Sequence, residues 1–132
     1  MKINQEYLKG LLEAFQAAKT PTTNIRELEN NGIAIDDQYI FHLQILSDKN
    51  LVKREQGTGL GYVIGADGNI GWSVVPLRLT AEGHEFIEAL KNREVWSTIK
   101  LEFKDASVET LLNVSKKLFE GYINKKITSL LS

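Results

Sequence analysis

Residues 36–79 read DDQYIFHLQILSDKNLVKREQGTGLGYVIGADGNIGWSVVPLRL, and the change of texture inside this stretch decides the fold. Asp36 or Asp37 supplies a side-chain acceptor for the first free backbone amides of a helix. Ile40, Leu43 and Leu46 then recur at helical spacing with Tyr39 flanking them, which predicts a helix to about Asp48. Asn50 tolerates the left-handed conformation that ends such a helix. From Leu51 onward glycines mix with Val, Ile, Tyr and Trp. The pair Asp67-Gly68 between Tyr62-Val63-Ile64 and Ile70-Gly71-Trp72 predicts an antiparallel hairpin. Pro76 has no amide to donate and marks an edge or break before Leu77-Arg78-Leu79. Gly57-Thr58-Gly59-Leu60-Gly61 has neither nucleotide-binding spacing nor a following helix, so it reads as a turn or bulge.

Working outward, Ile3, Tyr7, Leu8, Leu11, Leu12, Phe15 and Ala18 form an amphipathic stripe from about Asn4 to Lys19, which Thr20-Pro21 stops. Asn24 with Glu27 is a capping-box pattern for a short second helix, and Asn31-Gly32 closes it. Beyond the hairpin, Thr80 caps a fourth helix with Glu82 and Glu85 near its positive end and Phe86, Ile87 and Leu90 facing inward. Asn92 loosens that helix before Val95, Trp96, Ile99 and Phe103 resume an apolar face. Ser107 caps a last helix from Val108 to about Leu130, whose stripe is Leu111, Leu112, Ser115, Leu118, Phe119, Tyr122, Ile123, Ile127 and Leu130. At 1.5 Å per residue this rod is roughly 35 Å long, more than closing the core requires.

The fold class expected is mostly α with a small antiparallel β-hairpin (α+β). Helix, short helix, helix, twisted hairpin, helix is the order of a winged helix-turn-helix, in which the third helix is the groove reader and the hairpin the wing. One domain over residues 1–132 is expected, with 1–79 as the winged-helix core and 80–132 as a C-terminal helical extension that includes the long helix.

The segment HLQILSDKNLVKRE (42–55) resembles the recognition-helix-to-wing passage of many winged-helix regulators. In PLRLTAEGHEFIEALKNREVWSTIK, the run Leu79, Thr80, Glu82, Gly83, His84, Glu85, Phe86, followed by Trp96 and Lys100, is similar to the hallmark of a bacterial and prophage family known as domain of unknown function two-five-one-three. The resemblance covers nearly the whole chain and implies a winged-helix fold with no established activity. The long glycine-rich hairpin departs from relatives that have a shorter wing.

The net charge of −1 is not that of a nucleic-acid binder, which ordinarily carries a basic excess. Between Thr20 and Asp48, Arg26 is the sole cation, against Glu27, Glu29, Asp36, Asp37 and Asp48. Gln38, Phe41, His42, Gln44 and Ile45 read as the outward positions of the third helix, with Lys53 and Arg54 at the wing base. These seven are the candidate contacts to double-stranded DNA or a protein partner. Tyr62 and Trp72 read as covers for the hairpin's inner face. Leu111, Leu118, Phe119, Tyr122 and Ile123 are candidates for a homodimer seam on the last helix, along which Lys116, Lys117, Lys125 and Lys126 supply the chain's basic face. His84 reads as a hydrogen-bonded residue fixing the corner between wing and helix. Two distant histidines and no cysteine make no metal site, and no nucleophile, base and orienting group occur together. No catalytic site and no cofactor are expected. The missing cysteines and the polar interruptions near the N-terminus suit a cytoplasmic protein without a signal peptide or membrane span. The functional expectation is a DNA-binding, regulator-like protein or, alternatively, a protein-interaction module or dimeric adaptor.

Overall fold

A computed structural model describes residues 1–132. The elements run α1 (Gln5–Gln16), α2 (Ile25–Asn30), α3 (Asp37–Asp48), β1 (Val52–Arg54), β2 (Tyr62–Ile64), β3 (Ile70–Trp72), β4 (Leu77–Leu79), α4 (Ala81–Lys91), α5 (Arg93–Glu102) and α6 (Val108–Leu131). The class is α+β, mostly helical with small antiparallel sheets.

The helix starts follow their capping chemistry. Asn4, Asn24, Asp36, Thr80, Asn92 and Ser107 each accept a backbone N–H from the first turn they precede. Asn92 is extended, so it both ends α4 and launches α5. Asn50 adopts φ 57°, the left-handed turn expected after α3. Two details differ. Helix α1 stops at Gln16, before Lys19, because the Ala18 amide bonds the Phe15 carbonyl and tightens the last turn. The capping box at α2 is not reciprocal: the Glu27 carboxylate accepts from the Thr23 hydroxyl at 2.9 Å.

The ribbon is built in two ladders. At its base β1 pairs with β4, placing Val52 opposite Leu79 and Arg54 opposite Leu77. At its tip β2 pairs with β3, placing Tyr62 opposite Trp72 and Ile64 opposite Ile70. Between them Glu55 N–H still reaches the Pro76 carbonyl and Ser73 N–H the Gly61 carbonyl, so the glycine-rich stretch bulges without separating the strands. The Gly65 carbonyl accepts from Gly68 N–H, and Gly68 sits at φ +82°. This is a three-residue hairpin loop with glycine in the left-handed position. On the far edge of β4, Thr23 exchanges two backbone hydrogen bonds with Leu77 (2.7 and 2.8 Å). That bridge was not legible in the local sequence, because Thr23 belongs to neither a period-2 run nor a turn signature.

A contiguous core of 23 buried residues draws on α1 through α6 and both base strands. Leu8, Leu11, Leu12, Leu28, Leu43, Leu46, Leu51, Leu77, Ile87, Leu90 and Ile99 are wholly enclosed. Truncating any of these leucines to alanine costs about 2–5 kcal/mol. Tyr39, expected beside the stripe, is itself wholly buried, since the ribbon covers it: its ring lies 6.2 Å from that of Trp72.

Candidate interaction surfaces

The outward side of α3 is narrower than its sequence suggests. Asp37, Gln44 and Asp48 are exposed, and Gln38, Phe41 and Ile45 are half-buried, with Ile45 packed against the core. His42, an expected outward contact, is fully buried. Its Nδ1 donates to the Gln38 carbonyl at 2.7 Å, and its Nε2 accepts the Asn4 N–H at 3.0 Å. Tyr7 and Phe41 flank the ring at 4.7 and 5.2 Å. Burial pulls its pKa below the ordinary 6.5, against the opposing pull of the Gln38 carbonyl. The neutral ring therefore fastens the start of α1 onto α3 and offers nothing to a ligand. The error has a simple cause: α1 folds back across a position that an isolated helix would leave open.

At the ribbon base the two expected cations separate. Lys53 is exposed and free of any ion pair. Arg54 turns inward, donating to the Thr58 carbonyl at 2.8 Å and packing beneath Gly57, where a Cβ would lie 3.4 Å from its guanidinium carbon. It holds the glycine-rich bulge in place, so it is not free for a phosphate. Arg78 is likewise engaged by Glu55 at 2.8 Å, and Lys49 by Glu109 at 3.3 Å.

The ribbon also carries apolar exposure that residue-by-residue reading missed. Tyr62 and Trp72 face one another at 5.8 Å and Trp72 lies 6.2 Å from Tyr39, but Trp72 stays 36% exposed, so the inner face is only partly covered. Val63 (71%), Ile64 (56%) and Val74 (49%) project into solvent. The two-residue period carried the signal for Val63, which must face away from Tyr62; Ile64 shares the face of Tyr62 and is open because it is the last strand residue before the hairpin loop.

A third surface lies between α4 and α6. Phe86, Leu112 and Phe119 form the floor of a groove of about 700 Å³, and Glu82, Glu85, Glu88 and Glu120 border it with Lys116. His84 lines the same groove, exposed and without a hydrogen bond from its ring, so it does not fix the corner between ribbon and helix. Thr80 does that instead, its hydroxyl donating to the Asn50 carbonyl at 2.6 Å.

The expected dimer residues divide along α6. Leu111 is core, 1% exposed, because it meets α4 and α5 rather than solvent. Leu118 and Phe119 are half-buried against the same core, and Phe119 stacks on Tyr122 at 6.1 Å. Beyond Tyr122 the helix leaves the body: Ile123, Ile127, Leu130 and Leu131 are exposed at 37, 48, 76 and 82%. The four lysines do not form one face. At about 100° per residue, Lys116 and Lys126 fall near the apolar stripe while Lys117 and Lys125 point away from it.

No cluster of three or more metal-binding side chains is formed, and no helix is long and apolar enough to cross a membrane. The chain is similar to an uncharacterised protein of Haemophilus influenzae, 20% identical over 128 residues, which covers 96% of this chain and 99% of that one. No solved structure matches it. Residues 2–109, ending at the second residue of α6, match the family described as "Hypothetical protein (DUF2513)". The match spans the capped corner at Thr80, the glycine at 83 and the Trp96 that Lys9 and Lys100 approach on α5, and the chain belongs to that family.

Proposed function

We propose that the chain is a cytoplasmic, non-catalytic winged-helix protein whose α3-and-wing side docks a protein partner. The winged-helix assignment is supported by the order α1, α2, α3, ribbon, α4 and by the Thr23–Leu77 bridge, which adds a third strand position to the ribbon base. One observation carries the choice of partner. Between residues 36 and 79, Lys53 is the one cation left without an acidic or carbonyl partner, whereas Asp37 and Asp48 stand exposed on α3 and Val63, Ile64 and Val74 on the wing. Phosphates need several free cations, and solvent-facing apolar side chains suit a protein surface.

Double-stranded DNA is the second reading, favoured by the element order, with Gln38, Gln44 and Lys53 as its accessible contacts. The non-catalytic assignment rests on the histidines: His42 is consumed in fastening α1 to α3, and His84 has no nucleophile or orienting partner.

Anisotropy of a labelled mixed-sequence duplex at low salt, run beside affinity capture from a bacterial lysate, separates the two. A flat titration, with a captured protein that Val63→Asp releases, supports the protein reading. Retardation with a salt slope of several units, weakened by Lys53→Glu, overturns it in favour of DNA.

A further inference from the structure

The groove between α4 and α6 and the exposed end of α6 lie on one continuous face of the same helix. Ile123, Ile127 and Leu130 stand eleven residues after Leu112, Lys116 and Phe119, and eleven residues are about three helical turns. The outer stripe is therefore the groove's own α6 wall prolonged beyond the body, with nothing of this chain laid against it. Its charge is opposite to the groove's. Residues 121–131 contain Lys125 and Lys126 and no acid, whereas α4 turns Glu82, Glu85 and Glu88 toward the groove.

We infer that the outer half of α6 from a second copy of this chain occupies the groove, in a two-fold, antiparallel α6–α6 pair. Each copy supplies one groove and one protruding half-helix, so a single dyad covers both grooves and both stripes and closes the assembly at two. The polarity fits the charges. Lys126 comes eleven residues after Ser115, the buried α6 residue that lines the groove at its deep edge, against the body. Lys126 thus flanks the apolar stripe on the side that α4 occupies. In an antiparallel two-fold pair like flanks meet, so Lys126 of the second copy passes over the acidic wall of α4. This pairing is independent of what the α3-and-wing side binds.

Light scattering on the full chain at tens of micromolar tests the pairing. The expected mass is twice the 14.9 kDa of one chain. Ile127→Asp should return it to one chain with an unchanged circular dichroism spectrum, because that residue is exposed beyond the body, and its melting temperature should no longer depend on protein concentration as the wild type's does. Lys126→Glu should weaken association about threefold at low salt, the effect expected of a solvent-screened pair, and Glu85→Lys added to it should recover the loss. The chain has no cysteine, so Ile123→Cys with a short bis-maleimide gives a linked dimer where Lys19→Cys does not. A wild-type mass of one chain overturns the inference. So does a dimer that survives Ile127→Asp, or one whose Ile123→Cys form fails to cross-link.

Discussion

Gly83 lies so close to the Leu51 carbonyl that a Cβ on it would stand 2.2 Å from the oxygen. The same carbonyl accepts the Thr80 N–H at 2.9 Å, and the Thr80 hydroxyl reaches the neighbouring Asn50 carbonyl. The first turn of α4 is thus pressed onto the end of α3 and the start of β1. This explains Thr and Gly in the LTAEG run: the threonine caps and ties, and the glycine permits the approach.

Gly83→Ala should accordingly cost about 3 kcal/mol, since backbone rather than a flexible side chain must yield. Gly10→Ala is the control. A Cβ there meets nothing within 4 Å, and α1 should gain up to about 1 kcal/mol in helix propensity. Urea unfolding of both variants checks the opposite signs; a neutral Gly83→Ala would refute the close packing.

Thr80→Ala removes both the cap to Gly83 N–H and the tie to Asn50. A loss of about 1–2 kcal/mol is expected, with Thr80→Ser recovering most of it. Equal losses in both variants would point to the methyl group instead of the hydroxyl.

His42 makes stability depend on pH. Its folded pKa lies below the ordinary 6.5, so the unfolded chain binds the proton more readily. The stabilisation is complete above pH 6.5 and is lost as pH falls from there through the folded value. Urea midpoints should therefore drop between pH 7.5 and pH 5.5, and His42→Gln should be less stable at neutral pH while losing this component. A midpoint that rises on acidification would contradict the neutral, doubly bonded ring.

The Tyr39 hydroxyl is buried without a hydrogen-bond partner, and burial also raises its pKa. Tyr39→Phe removes a polar group that folding leaves unpaid, so stability should hold or rise by about 1 kcal/mol. Tyr39→Ala, which empties the space beneath Trp72, should cost about 3–5 kcal/mol. Thermal melts of the pair separate the hydroxyl from the ring.

Much of this architecture was written locally. Side-chain caps at Asn24, Asp36, Thr80 and Ser107, the period of the leucines and the Asp67-Gly68 turn depend on groups within a few residues of one another, so the chain specifies them wherever it folds. Which polar and apolar side chains remain available did not follow in the same way. His42 and Leu111 look outward on isolated helices and are enclosed by α1 and α4; Arg54 looks free and is spent on a bulge; Val63 and Ile64 read as apolar strand residues and face water. Availability depends on elements tens of residues away, and the side-chain period of one helix or strand carries no record of what packs against it. That is why the elements were legible in the sequence, while the interaction surfaces emerged only from tertiary packing.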